Sequence, residues 1–233
     1  MLRKIAGPFR EFGFFAGTLY IVDRLLRGVS PGLGLFVYEF MVQPISDKPL
    51  LPANFARGLA FREIRRGDPE IALMPARPEI KESRFDQGAV CLGAFKNDTP
   101  IGYIWFCFNT YEEDEVRCTY QLVNPAESVF DFDLFVFPEH RMGIGFMAVW
   151  HGANRFLRDR GVLYSFSRLT RFNLASRRAH DHLGWKRLAS AIFLKIWNVE
   201  LMLATIFPFV WLSFGPSRRV RLLFRPDVLQ STE

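Results

Sequence analysis

Cysteine is scarce in this sequence, and long apolar runs, internal repeats and low-complexity segments are missing. The 233 residues include three cysteines, Cys91, Cys107 and Cys118. Three is an odd number, and the spacing fits neither a disulfide framework nor a C-x-x-C metal site. We therefore expect reduced thiols in strands, no bound metal and a cytoplasmic protein.

A secretory signal is also missing. The apolar stretch at residues 12–26 is interrupted by Asp23 and Arg24, and no small-residue cleavage site ends it. We therefore expect the mature chain to begin at Met1.

The apolar run at residues 201–214, which carries no charge, is too short for a membrane-spanning helix. It has fourteen residues, whereas a helix needs about 20 to cross a bilayer, and Pro208 would kink it midway. Arg218, Arg219 and Arg221 follow closely. These features indicate a re-entrant or interfacial segment anchored by arginines. A buried C-terminal helix is the alternative.

Phenylalanine, by contrast, is abundant. The chain has 25 Phe, against 17 residues of Trp, Tyr and Met together, and 49% of its residues are hydrophobic. This composition excludes a disordered or collagen-like chain and indicates one domain with additions, or two small domains. The excess of Phe fits either a large core or a surface that meets lipid.

The net charge of +6 conceals two opposed blocks. Residues 106–140 carry eight acids and one base, which gives −7, and residues 155–187 carry nine bases and two acids, which gives +7. A cationic block suits phosphates, and an anionic block suits an amine or another cation. The alternative is that both blocks are ordinary solvated faces.

The chain divides into three zones. In residues 1–52, apolar residues recur at steps of three or four, flanked by bases such as Arg10 and Arg24. This pattern predicts a helix that lies in a membrane interface or packs on the protein's own core. Residues 53–197 alternate between strand and helix patterns, and residues 198–233 are apolar and basic.

Hydrophobic periodicity, caps and turn residues place the elements of the middle zone. We predict strands at residues 59–65, 90–96, 101–109, 116–123, 128–137, 162–169 and 188–197. We predict helices at residues 68–74, 78–87, 146–160 and 174–182, the last capped by Asn173 and closed by Gly184. We predict a turn at Asn97 and Asp98.

The most specific local signal is Asn-Leu-Ala-Ser-Arg-Arg-Ala-His-Asp-His-Leu-Gly-Trp at residues 173–185. It follows a predicted strand and opens a predicted helix. The pattern resembles the GNAT superfamily of N-acetyltransferases, whose late helix carries N-x-x-[AS]-x-x-x-Y-x-x-x-G-F. Asn173, Ser176 and Gly184 stand at the family's offsets, and His180 stands where the family usually has tyrosine.

A second match lies upstream, at Val-Phe-Pro-Glu-His-Arg-Met-Gly-Ile-Gly, residues 136–145. In the GNAT superfamily a V-x-P-E-x-[RQ]-x-x-G-x-[GA] turn presents backbone N–H groups at a helix N-terminus to the pyrophosphate of coenzyme A, an arrangement that favours anions. Here the turn is one residue short. Either Arg141 is the family's basic residue and the loop has lost a position, or His140 fills that place.

The resemblance covers about residues 59–197 and implies an α+β GNAT fold, a mixed, mostly antiparallel twisted sheet flanked by helices. The terminal zones would be apolar N- and C-terminal extensions. By resemblance, acyl-CoA lies between the strand ending at Phe137 and the strand starting at Val162, with its thioester near a β-bulge and its pantetheine amides paired with the backbone of residues 134–136. The residues expected to bind it are Leu134, Phe135, Val136, His140, Arg141, Met142, Gly143, Ile144, Gly145, Asn173, Ser176 and Arg177.

The resemblance also implies direct attack of an amine on the thioester. His180 is the candidate acid for the leaving thiolate, because imidazole can donate a proton near neutral pH. Asp131 and Asp133 are candidate bases or amine ligands. A capping or core role for His180 and structural salt bridges for the two aspartates are the alternatives.

We therefore expect an acyl-CoA-dependent N-acyltransferase, with acetyl-CoA or another acyl-CoA as co-substrate and a primary amine as acceptor. One alternative uses long acyl chains from CoA or acyl carrier protein, and another is a non-catalytic acyl-CoA-binding module. A membrane surface, reached from the inner face, and a homodimer are further partners that the sequence leaves open. Nucleic acid is not expected, because no basic and aromatic recognition motif is present.

Overall fold

The computed structural model describes residues 2–215 and 217–227 and contains six α-helices within them. Met1, Pro216 and residues 228–233, which belong to the two expected extensions, lie outside the described residues. The helices are α1 (Leu2–Val29), α2 (Ala53–Ala56), α3 (Glu70–Leu73), α4 (Pro78–Asp86), α5 (Gly145–Arg158) and α6 (Leu174–Asp181). A short 3-10 turn covers Pro138–His140.

Twelve strands occur in the same described part of the chain. They are β1 (Leu33–Pro44), β2 (Leu59–Ile64), β3 (Val90–Lys96), β4 (Thr99–Cys107), β5 (Thr110–Glu112), β6 (Cys118–Leu122), β7 (Ser128–Val136), β8 (Tyr164–Thr170), β9 (Lys186–Ile196), β10 (Val199–Ala204), β11 (Val210–Phe214) and β12 (Val220–Phe224). The result is a mixed α+β fold whose strands pair mostly antiparallel, as the sequence predicts.

The chain forms two compact units. The first unit comprises Met1–Met41, Glu112–Gln121 and Arg168–Phe224. The second unit comprises Val42–Tyr111, Leu122–Ser167 and Arg225–Glu233. Strands β1 and β8 contribute residues to both units.

In the second unit the strand order is β8-β7-β4-β3-β2. Strand β7 runs parallel to β8, and the other neighbours are antiparallel. The amphipathic helix α5 packs on this sheet, and an added Cβ at Gly152 would lie 2.0 Å from the ring of Phe61. The glycine therefore sets how closely α5 approaches β2.

In the first unit the strand order is β11-β10-β9-β1. The second half of β1 is an almost continuous buried run, which is typical of a central strand. The apolar run at residues 35–42, which lies within the expected N-terminal extension, is thus a strand paired with β9. Strands β12 and β6 belong to a separate three-stranded sheet with β5.

Helix α1 is interrupted at Gly13, which has φ 80° and ψ 171°. The rings of Phe12 and Tyr20 contact the ring of Phe172, with centroids 5.4 and 5.2 Å apart. Other apolar side chains of α1, such as Phe14 and Leu25, are exposed. Part of the apolar face therefore packs on the protein itself, as one of the two alternatives predicts.

Residues 201–214 are not the buried helix of the second expectation. They form the antiparallel hairpin of β10 and β11, and an interfacial role for this segment stays a prediction. β-Branched and aromatic residues favour strands, and Pro208 lies in the connection, where no ladder hydrogen bond is needed. None of the helices in residues 2–215 and 217–227 is long and apolar enough to cross a membrane.

Candidate functional site

The acyl-CoA residues expected on β7 lie beside a β-bulge in the second unit. The β4–β7 register shifts between Tyr103 and Trp105, so that Asp133 and Leu134 stand opposite Ile104 alone. Asp133 has φ 47°, in the left-handed region that relieves such a bulge. The bulge turns the strand at the point where the resemblance expects the thioester.

Asp133 is engaged by a buried arginine. Its carboxylate forms an ion pair with the guanidinium of Arg84 on α4, which is 6% exposed. That guanidinium also lies over the rings of Trp105 and Phe132, at 5.5 and 5.2 Å from their centroids. The position of Asp133 is therefore fixed, and its negative charge is balanced.

Asp131 has different partners. It is 3% exposed, and its Oδ1 accepts hydrogen bonds from the hydroxyls of Ser165 and Ser167 on β8, at 2.5 and 2.7 Å. Burial raises the pKa of this carboxyl to about 6, although both serine hydrogen bonds favour the charged form. Strand β7 pairs in parallel with β8 from Ser128 to Asp131, and β7 itself continues to Val136.

The turn after β7 leads into α5 with several backbone groups exposed. Helix α5 begins at Gly145 with neither a side-chain cap nor an acid in its first turn. An added Cβ at Gly145 would lie 2.4 Å from the carbonyl oxygen of His140, so only glycine fits there without displacing the turn. Arg141, Met142, Gly143 and Ile144 are exposed. The first N–H groups of a helix have no acceptor within the helix itself, so such an end is suited to an anion.

The two candidates for the family's basic residue have different environments. Arg141 folds back on β7: its Nε donates to the carbonyl of Val136 at 2.9 Å, and its guanidinium lies over the ring of Phe135. Within the described residues, the Nε2 atom of His140 is buried and has no hydrogen-bond partner. Arg141 thus braces the turn and occupies one backbone acceptor that the resemblance assigns to pantetheine.

A cavity of about 390 Å³ borders the same turn. His140, Gly143 and Gly145 line it on one side, and Lys96 and Ile101 on the other. One base, Lys96, and one acid, Glu139, line this cavity, and the uncapped end of α5 adds a partial positive charge.

The late helix motif forms the helix predicted for it, α6, in the first unit. The side chain of Asn173 caps α6 by accepting a hydrogen bond from the backbone N–H of Ser176 at 3.0 Å. Gly184, with φ 71°, follows the helix end. Both the cap and the closing glycine are as the sequence predicts.

His180 is 2% exposed on α6. Its Nδ1 lies 2.8 Å from the carbonyl oxygen of Ser176, which can only accept, so Nδ1 carries the proton. Burial lowers the pKa of the imidazole below its ordinary value. At neutral pH the side chain is therefore mainly the neutral tautomer.

Arg177 has a protein partner. Its guanidinium lies 3.3 Å from the carboxylate of Glu39, a residue of β1 that is 1% exposed. Arg171 and Arg187 lie 3.4 and 3.9 Å from the same carboxylate. Three cations around one anion leave an excess of positive charge at the surface of the first unit.

The acidic run at residues 112–115 is largely neutralised. Glu113 is buried, pairs with Arg168 and accepts the backbone N–H groups of Glu115 and Val116 at 2.7 and 2.8 Å. Arg168 also lies 3.1 Å from Glu115. The expected anionic face is thus in large part a set of internal ion pairs.

Comparison with known proteins is informative at the level of the family. The family model described as the acetyltransferase (GNAT) family matches residues 59–185, more than half of the chain. The chain belongs to the GNAT family. Both sequence motifs lie within the matched range. A search of curated proteins finds no match.

Solved structures resemble the GNAT chain only distantly. They include a conserved protein of unknown function from Staphylococcus epidermidis, with 13% identity and TM-score 0.47, covering 75% of this chain and 66% of that one. A tandem GNAT protein from the clavulanic acid biosynthesis pathway has 15% identity and TM-score 0.46, covering 70% and 53% of the two chains. AAC(6')-Iy, in complex with the bisubstrate analogue CoA-S-monomethyl-acetylneamine, has 17% identity and TM-score 0.40, covering 54% and 89%.

The expected site residues of this GNAT protein are divided between the units. Asp131, Asp133, residues 134–136 and residues 140–145 lie in the second unit, and Asn173, Ser176, Arg177 and His180 lie in the first. Sequence reasoning missed Arg84, because a partner 49 positions from Asp133 leaves no local signal. No group of three or more His, Cys, Asp or Glu side chains that could hold a metal occurs among the described residues.

Proposed function

We propose that the protein is an N-acyltransferase that moves an acyl group, acetyl in the simplest case, from acyl-CoA to a primary amine. The observation that carries the proposal is the glycine-dependent turn before α5. It follows a bulged strand and ends in an uncapped helix N-terminus. Membership of the GNAT family supports the same assignment.

The residues of the turn fit the pyrophosphate of CoA. Backbone N–H groups of the turn and the helix dipole would bind the phosphates, and Lys96, which shares the cavity lining with Glu139, would add a positive charge nearby. The buried Nε2 of His140, which lacks a partner among the described residues, is a further candidate donor. The backbone of Leu134 and Phe135 would pair with the pantetheine amides, and Asn173 and Ser176 would bind the cofactor from α6.

The reaction needs one bond made and one broken. The amine nitrogen attacks the thioester carbonyl, the C–S bond breaks, the nitrogen loses a proton and the sulfur gains one. Backbone N–H groups beside the bulge would polarise the carbonyl oxygen. Asp131 and Asp133 remain the candidate bases, although Asp133 would have to act from within its ion pair with Arg84.

His180 is proposed as the acid that protonates the leaving thiolate. Since Nδ1–H is held by the Ser176 carbonyl, the donated proton would come from Nε2 and would require the imidazolium form. Its lowered pKa makes that form scarce at neutral pH. Turnover limited by this acid would therefore fall as pH rises through the lowered pKa of the imidazole, and His180→Phe would remove that dependence.

A second candidate, binding of acyl-CoA without transfer, is favoured by two observations. Asp133 is held in an ion pair, and the neutral state of His180 is favoured.

A donor with a longer acyl chain, linked to CoA or to a carrier protein, is a variant of the first proposal. The ring cluster of Phe135 and Phe137 beside the bulge supports it.

The three cysteines are buried and form no disulfide, in keeping with the proposed cytoplasmic location.

Thermal shift with CoA, acetyl-CoA and longer acyl-CoAs tests binding, and release of free CoA thiol in the presence of amino sugars and amino acids tests transfer. We expect stabilisation by CoA and its esters, and thiol release with at least one amine. Gly145→Ala should abolish the stabilisation because its Cβ would meet the His140 carbonyl.

Gly28→Ala is the matched control, since an added Cβ there meets no atom within 4 Å. Stabilisation without thiol release would favour the binding module. If neither CoA nor any ester stabilises the wild-type protein, both candidates are wrong.

A further inference from the structure

Strands β9, β10 and β11 present one face that is apolar at every paired position. Direct antiparallel partners share a face of a sheet, and here they form three rows of three. The rows are Ile196–Val199–Phe214, Leu194–Leu201–Leu212 and Ile192–Leu203–Val210. We call these nine residues the outer face.

The outer face is incompletely buried. Each of its nine residues is half-buried or exposed. The outermost strand is the most exposed, since Val210 is 62% and Phe214 is 59% accessible. On the opposite side of the same strands, Phe193, Met202 and Ser213 are buried. An alternating strand normally places polar residues on the side away from the core, so an apolar outer face requires a partner.

The tip of the β10–β11 hairpin is also apolar and exposed. Phe207 and Phe209 are 77% and 60% exposed, and Trp197, in the β9–β10 turn at the other end of the strands, is 64% exposed. Aromatic side chains at the margins of an apolar surface are typical of contact with a membrane interface.

The segment that follows the hairpin is basic. No Asp or Glu occurs between Glu200 and Asp227, whereas Arg218, Arg219 and Arg221 follow β11. Arg218 and Arg221 are exposed, and Arg218 lies at the base of β11, where its carbonyl accepts the Ser213 hydroxyl at 2.7 Å. Arg219 is paired with Glu112 at 3.2 Å. An apolar hairpin followed by two exposed arginines complements anionic lipid.

We propose that the outer face and the hairpin tip dock the protein on an anionic membrane surface, with Phe207 and Phe209 entering the headgroup region and Arg218 and Arg221 contacting lipid phosphates. This docking is independent of the proposed acyl transfer. It is also independent of the amphipathic character of α1.

Charge favours lipid over a second copy of the chain as the occupant. In a two-fold symmetric dimer each arginine would approach the same region of the other copy. Residues 201–226 contain no acid that could balance the positive charge of these arginines. Lipid phosphates supply that balance.

Co-sedimentation of the full chain with phospholipid vesicles tests the docking. Vesicles of phosphatidylcholine with phosphatidylglycerol should retain the protein, and vesicles of phosphatidylcholine alone should retain much less. Replacing both tip aromatics, Phe207→Ser with Phe209→Ser, should weaken retention by about tenfold or more. Replacing both exposed arginines, Arg218→Gln with Arg221→Gln, should weaken it by about tenfold and remove most of its salt dependence.

Leu73→Ser is the matched control, because Leu73 is also an exposed apolar residue, at 54%, and lies on α3 of the second unit. Circular dichroism melting should show every variant folded, and the thermal shift with CoA should be unchanged in the tip variant, so that docking and cofactor binding are scored separately. Absence of retention by anionic vesicles would overturn the proposal. So would a dimer, seen by light scattering, that the tip substitutions dissociate.

Discussion

Asp131 and Asp133 show how two carboxylates on one strand acquire different chemistry. Asp131 is buried against two serine hydroxyls, and Asp133, displaced by the bulge, pairs with Arg84. Both contacts come from elements distant in sequence. The roles of these residues therefore follow from their partners more than from the motif in which they stand.

The raised pKa of Asp131 predicts a pH-dependent stability. Between its ordinary pKa of 3.8 and its folded value of about 6, the folded state binds a proton that the unfolded state releases. The free energy of unfolding contributed by this group therefore falls as pH rises through that window, by at most about 3 kcal/mol. Asp131→Asn should remove the effect, so that the variant gains stability relative to wild type from about pH 4 to pH 7.

Urea unfolding at several pH values measures this difference. The control is Asp159→Asn, which changes an exposed carboxylate at the end of α5 and should show no such trend. A constant difference between Asp131→Asn and wild type across the window would contradict the prediction.

Helix α6 depends on its first residue. It has only eight residues, and its single side-chain cap is the Asn173 carbonyl oxygen on the Ser176 N–H. Short helices are marginal without capping and packing. Asn173 therefore positions the helix that carries the other expected cofactor residues.

Asn173→Ala should lower the free energy of unfolding by about 1 kcal/mol, whereas Asn173→Asp, which keeps the acceptor, should cost much less. Urea titration without ligand measures this. If CoA also binds the Asn173 side chain, the thermal shift with CoA should fall further in the Ala variant than its stability loss explains. Equal destabilisation by Ala and Asp would show that the cap is not the source of the effect.

The hairpin of β10 and β11 illustrates what local pattern could not predict. An uncharged run of fourteen residues fits an interfacial segment, a buried helix or two strands. Pairing with β9 decides for strands, because it satisfies the backbone hydrogen bonds of β10 along its full length. The apolar composition of this surface can be read from the sequence, but its strand pairing cannot.

At the scale of the whole molecule, the N-terminal segment is part of the sheet. Strand β1 pairs with β9 in the first unit and is buried along most of its length. Asp23 of α1 also accepts the backbone N–H of Leu35 at 2.9 Å. A segment outside the matched family range therefore supplies a central strand.

Deletion of residues 1–52 should consequently abolish cooperative unfolding, because it removes β1 and exposes the edge of β9. Deletion of residues 1–28 removes most of α1 and keeps β1, and it should leave a cooperative transition at lower temperature. Far-ultraviolet circular dichroism with thermal melting distinguishes the two. A cooperative transition after the longer deletion would show that the segment is a separable extension.

The sequence by itself determined the family, the α+β class and most element boundaries, since capping residues, glycine stops and hydrophobic periodicity act over a few neighbouring positions. The cap at Asn173, the start of α5 and the turn at Asn97 and Asp98 are of this kind. The tertiary structure alone decided which charges are balanced. Arg84 with Asp133, Arg177 with Glu39 and Arg168 with Glu113 are brought together by chain crossings, and Coulombic interactions depend on distance in space, which spacing along the chain does not reveal.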